Sequence, residues 1–132
     1  MNFEYQMLAL ASALFVLAFA PASLAKYQAF GTKWMASNRD AKPQEALPAW
    51  GERCERAHNN LKDNFPSFIA AVLILGALGR FDSSTHILVL IWVIGRIMHF
   101  GAYALGNVPV RFMGYMMGIV SNLILLAKVF IP

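Results

Sequence analysis

With 132 residues, 58% of them hydrophobic and only 14% charged, the chain carries more apolar side chains than a soluble domain of this length could bury. At about 20 residues per span, that length admits four or five membrane crossings with short connections and a single domain, residues 1–132. The formal net charge of +4 suits anionic partners, yet no aromatic-plus-basic pattern of the nucleic-acid-binding kind accompanies it, so the expected partners are membrane lipid and small anions, with no nucleic acid. Cys54 is the only cysteine, which excludes an intramolecular disulfide and a cysteine-rich metal site.

The first apolar stretch runs from about Phe3 to Phe30, with a charge-free part, Met7 to Ala25, long enough to cross the hydrocarbon core. Leu8 to Ala20 followed by Ser23-Leu24-Ala25 has the outline of a secretory signal. A signal peptide starts with positive charge, however, and residues 1–7 carry Glu4 and neither Lys nor Arg, so a retained first helix is expected. Pro21 predicts a kink within it. From Gly31 to Trp50 the helical periodicity is lost and Lys33, Arg39, Asp40, Lys42, Pro43, Glu45 and Pro48 predict a long loop.

A second helix is expected from Gly51 or Glu52 to about Leu78, bent at Pro66, and a turn over residues 79–84 follows it. Ser83 or Ser84 is the expected cap of a third helix, Thr85 to about Leu105. Gly106-Asn107-Val108-Pro109 then breaks the pattern, and Pro109 suits the first turn of a fourth helix ending near Phe130. The short turns make consecutive helices antiparallel neighbours, so the expected fold is an all-α membrane protein, a four-transmembrane-helix bundle. Lys26, Lys33, Arg39 and Lys42 all follow the first helix while the N-terminal tail has no Lys or Arg, which predicts both termini on the non-cytoplasmic side.

Three polar stripes stand out against this background. In the second helix Arg53, Arg56, Asn60 and Asp63 recur at helical spacing on one face, with Asn59 beside them. A solvated helix start with a Glu52–Arg56 pair would explain them as well. In the third helix Arg96, His99 and Tyr103 share a face among Leu, Ile, Val, Trp and Phe. An arginine at the centre of a membrane helix costs about 2.5–3.5 kcal/mol on insertion scales, so it is expected either to pair with Asp63 or to line a ligand site. In the fourth helix Arg111 and Tyr115 lie one turn apart, an arrangement that also suits an interfacial anchor. Across the three helices, Asp63 is a single counter-ion for Arg53, Arg56, Arg96 and Arg111, and the surplus positive charge calls for an anionic ligand.

Other chemistries find little support. Ser67, Ser121 and Cys54 have no adjacent base motif, His58, His86 and His99 are not at metal-ligand spacing, and no phosphate-binding glycine loop is present. No metal is therefore expected, and any reactive group would come from a bound cosubstrate activated by Arg and Tyr.

The run Glu52 to Asn60 with Asp63 and Pro66, Gly95-Arg96 through His99 to Tyr103, and Pro109-Val110-Arg111 with Tyr115 resembles the MAPEG family, membrane-associated proteins in eicosanoid and glutathione metabolism. It looks most like the microsomal glutathione transferase and prostaglandin E synthase branch. The resemblance implies a homotrimer with glutathione as cosubstrate, bound between neighbouring subunits, and a hydrophobic small-molecule substrate. It implies that Arg53, Arg56, Asn59, Asn60, Asp63, Arg96, His99 and Tyr103 hold glutathione, with Lys26 standing where the family has a basic residue at the end of helix one. It implies that Arg111 stabilises the thiolate, with Tyr115 beside it. Asn59 and Phe112 replace an arginine and a serine of the prostaglandin synthase pattern, and Asp63 replaces the usual glutamate. The implied function is a membrane-bound glutathione transferase or peroxidase acting on a hydrophobic electrophile or lipid hydroperoxide. A non-catalytic lipid-binding or scaffold member of the same family is the alternative.

Overall fold

In the computed structural model, which describes residues 2–41, 43 and 45–131, the first apolar stretch kinks at Pro21 as expected and divides there into α1, Phe3–Leu17, and α2, Ala20–Met35. Pro21 explains the break. It has no N–H to give to the carbonyl of Leu17, and its ring crowds that carbonyl. Ala18 and Phe19 keep right-handed helical dihedrals, so the chain bends without reversing, and Phe3–Met35 remains one apolar stretch of 33 residues. Helical geometry breaks at Gly31 (φ 74°, ψ 170°), at the expected end near Phe30, and one further turn runs on to Met35. The described residues between 36 and 48 lie outside the helices, within the loop expected from Gly31 to Trp50, whose last two residues instead begin the next helix; Lys42 of that loop lies outside the described residues.

α3, Ala49–Ala77, follows the extended residue Pro48 and continues through Pro66. Its 29 residues make it about 44 Å long at 1.5 Å per residue. α4 spans Ser83–Leu105 and α5 spans Val108–Phe130. The cap of α4 is Asp82, not the expected Ser83 or Ser84. Its Oδ1 accepts from the backbone N–H of Ser84 (2.8 Å) and Thr85 (2.9 Å), while Thr85 Oγ1 accepts from the Asp82 N–H at 2.9 Å. A carboxylate three residues before a threonine completes this reciprocal box better than a serine one turn-position later. Gly106, with φ 78°, ends α4, and Asn107 Oδ1 accepts from Val110 N–H (3.1 Å) to start α5 ahead of Pro109.

The Phe3–Met35 stretch, α4 and α5 are each long and apolar enough to cross a membrane. α3 divides in two. Its first half carries Glu52, Arg53, Glu55, Arg56, Lys62 and Asp63, and residues 65–77 carry no charge at all. Large side chains such as Val16, Leu17, Ile87, Leu123 and Phe130 stand exposed on the outside, as lipid-facing residues do.

The bundle closes around Phe68, Val72, Leu75, Val89, Trp92 and Leu125, and the rings of Phe68 and Trp92 stack at 3.8 Å and 6°. Where lipid is as apolar as leucine, helices associate through close packing of small residues. Between α4 and α5 that role falls to Gly95, Gly114 and Gly118: a Cβ on Gly114 would stand 2.6 Å from the His99 nitrogen and 2.7 Å from the Gly95 oxygen. At the far end of the bundle from Arg111, Glu4 is fully buried. The Thr85 hydroxyl donates to its Oε1, and His86 Nδ1 lies 3.4 Å from the same oxygen, so α1 is fastened to the start of α4.

Candidate functional site

Residues from α3, α4 and α5 converge at the glycine crossing. Arg96, 4% exposed, projects from α4 into the space that Gly118 leaves open on α5, where a Cβ would stand 2.6 Å from the guanidinium carbon. Its Nη1 donates to Asn60 Oδ1 on α3 at 3.1 Å. The expected Asp63 pair is not made, because Asp63 lies on the exposed side of α3. Arg96 Nε and Nη2 are buried with no protein acceptor. The rings of Trp92 (5.5 Å) and Tyr115 (5.8 Å) flank the guanidinium, placing aromatic faces where a cation is attracted.

One turn along α4, His99 is also buried. Its Nδ1 lies 3.1 Å from the Arg111 carbonyl oxygen. A carbonyl only accepts, so Nδ1 carries the proton, and in the neutral ring Nε2 is an acceptor. That Nε2 is buried and unpartnered. His99 touches both tyrosines, with ring centroids 5.5 Å from Tyr103 and 6.0 Å from Tyr115. The Arg111 guanidinium lies over the Tyr103 ring at 4.6 Å. Arg96, His99, Tyr103, Arg111, Tyr115 and Asn60 thus form one cluster, and among the described residues no carboxylate lies within ion-pair distance of either arginine.

The remaining residues of the α3 stripe do not join this cluster within one chain. Arg53 Nε donates to the Ala104 carbonyl (3.0 Å), satisfying a free acceptor at the C-terminal end of α4. Arg56 makes the exposed pair with Glu52 at 3.3 Å, while Asn59 and Asp63 are exposed. Lys26 is half-buried and paired with Glu55, joining α2 to α3. Phe112 points outward and is 63% exposed, which places it away from the cluster's interior.

An apolar groove of about 310 Å³ borders the cluster on the side of the α1–α2 break. It is lined by Leu14, Ala18, Pro21, Trp92, Ile97 and Phe100, with Arg96 as its one charged wall residue. This volume lies at the low end of the range for small-molecule sites. The groove, Gly118 and Trp92 were not expected as site features. Gly114-x-x-x-Gly118 was a readable packing signal, but a groove made of Leu, Ile and Phe has no signature separate from a lipid-facing surface.

The chain matches no curated protein. A family model described as the MAPEG family matches residues 5–131. Its reach from α1 to the end of α5 agrees with the helical membrane bundle found here, and together with the three membrane-crossing stretches it makes the chain an integral membrane protein. The chain belongs to the MAPEG family.

Proposed function

We propose that this protein is a membrane-bound glutathione transferase or peroxidase, with Arg111 stabilising the glutathione thiolate. Membership of the MAPEG family supports a membrane glutathione-related transferase or a related function. The observation that carries the finer reading is the excess of cation in the cluster: a 4% exposed Arg96 with two unaccepted nitrogens, and Arg111 nearby, without a carboxylate for either. A tripeptide with two carboxylates and a thiol supplies the missing anions.

In this reading Arg96 and Asn60 hold a glutathione carboxylate, and His99 Nε2 and the hydroxyl of Tyr103 or Tyr115 bind the peptide. Arg111, fixed over Tyr103, lowers the thiol pKa by favouring the charged form. The thiolate then forms a C–S bond to an apolar electrophile, whose leaving group departs with the bonding pair. With a hydroperoxide, the thiolate attacks the outer oxygen and the O–O bond breaks. The alkoxide takes a proton, and a second glutathione converts the sulfenic acid to disulfide and water. The groove beside Arg96 offers the electrophile a path from the bilayer. Arg56, Asn59 and Asp63, exposed on α3, and Arg53 and Lys26 beside them would complete the site from a neighbouring copy in a homotrimer. In this reading the site faces the cytoplasmic side with both termini opposite, an orientation favoured by the Lys and Arg residues that follow the first helix. The groove also favours a second reading, a non-catalytic lipid-binding member.

Purified protein assayed for conjugation of glutathione to 1-chloro-2,4-dinitrobenzene and for reduction of cumene hydroperoxide separates the two. Arg111→Ala is expected to lower kcat about a hundredfold, as loss of one electrostatic stabiliser does, and to shift the pH–rate profile toward a free thiol near 8.5. Equal rates for the two proteins would remove the thiolate role. No turnover by the wild type would favour the lipid-binding reading.

A further inference from the structure

A line of polar side chains continues inward from the cluster, past anything the glutathione reading uses. On α3, Asn64 Nδ2 donates to the Asn60 carbonyl (2.8 Å) and Ser67 Oγ to the Asn64 carbonyl (2.9 Å). From α5, Asn122 Nδ2 donates to Ser67 Oγ at 2.7 Å. Asn60 to Ser67 is seven residues, about 10 Å along the helix, so the line reaches well into the apolar part of the bundle.

At its inner end the hydrogen bonding does not close. Asn122, 6% exposed, has an Oδ1 with no protein donor. Trp92, 1% exposed, has an indole N–H with no protein acceptor, and Arg96 has the two nitrogens already described. These groups share a level of the fold. Trp92 and Arg96 are one turn apart on α4, Asn122 is one turn beyond Gly118 on α5, and Trp92 stacks on Phe68, the residue next to Ser67.

We propose that the α3–α4–α5 interface holds an internal water site bounded by Trp92, Arg96, Ser67 and Asn122. The chemistry of the leftover groups selects the ligand. Three are N–H donors and one is a carbonyl acceptor. An anion would suit the donors and be repelled by Asn122 Oδ1; a cation would suit Oδ1 and be repelled by Arg96. Water both accepts and donates, and buried waters typically have two to four such partners. It joins Asn122 Oδ1 to the Trp92 N–H and to one of the two Arg96 nitrogens and leaves the other facing the cluster, so the proposal does not depend on the enzymatic reading.

The Trp92 indole is the probe. In ¹⁵N-indole-labelled full-length protein in nanodiscs, with Trp92→Phe assigning the resonance among the three tryptophans, a water-selective NOE is expected at the buried N–H. Asn122→Leu is expected to reduce that cross-peak at least threefold. Radiolytic hydroxyl-radical footprinting of the wild type, which labels side chains beside ordered water, is expected to mark Trp92 despite its burial and serves if Asn122→Leu fails to fold. A silent Trp92 in both measurements overturns the proposal. So does a cross-peak that a folded Asn122→Leu variant leaves unchanged.

Discussion

Gly118→Ala tests whether the site is built on a glycine cradle for Arg96. The added Cβ would stand 2.6 Å from the guanidinium carbon and closer still to Nε and Nη2. Carbon atoms in contact sit about 3.5–4.0 Å apart, so the guanidinium must retreat by about 1 Å. Its hydrogen bond to Asn60 Oδ1, now 3.1 Å, would then exceed the length at which such a bond holds. The displaced group is the free end of a flexible side chain, so the fold should survive. The same retreat draws the guanidinium away from the glutathione carboxylate it is proposed to hold, and the expected loss is that of one charged hydrogen bond to the ligand, about 1.5–3 kcal/mol, or about tenfold to a hundredfold in glutathione affinity. Titration calorimetry with glutathione reads the affinity and a thermal melt reads the fold. Two further alanines provide the contrast. Gly114→Ala collides with the backbone of His99 and Gly95, which cannot move aside, and should lower stability by about 1–3 kcal/mol. Gly101→Ala meets nothing within 4 Å and should change neither quantity. Unaltered binding by Gly118→Ala, or an equal loss in Gly101→Ala, would refute the cradle.

At the opposite end, Glu4→Ala should free α1 from α4 and cost about 1–3 kcal/mol, with Glu4→Gln milder because the amide oxygen still accepts from Thr85; chemical denaturation of the two variants compares them. Asp82 lies outside the membrane-crossing helices, and Lys128, the Ser84 hydroxyl and the Thr85 N–H hold its carboxyl well below the usual carboxylate range. A depressed folded pKa contributes stability that is fully present above the unfolded value near 3.9 and lost as pH falls through the folded one. Melting temperature should therefore show no step from Asp82 between pH 5 and 8. Asp82→Ala should lower it throughout that range by removing the cap of α4, and Asp82→Asn, which keeps an acceptor there, should lower it less.

Hydropathy and helical spacing made the bundle, its turns and the burial of Arg96 and His99 legible, because a charged side chain among lipid-facing residues has few places to go. They also made Arg111 and Tyr115 candidates, since one turn of helix places both on one face. The caps and ends were less secure. Asp82 rather than a serine caps α4, an outcome set by which local hydrogen bond competes best, whereas the Pro21 kink was legible from proline's missing N–H. The α3 stripe shows the limit of periodicity. Arg53, Arg56, Asn60 and Asp63 share a helical face, yet Asn60 meets Arg96, Arg53 bonds to the end of α4, and Arg56 and Asp63 stay exposed. A repeat of 3.6 residues says which side chains lie together on one helix, but not the rotation and axial shift of that helix against its neighbours. Those were decided by close packing at Gly95, Gly114 and Gly118. That packing placed Arg96 against Gly118 and Asn122 beside Ser67, pairings between residues far apart in the chain that no local pattern encodes.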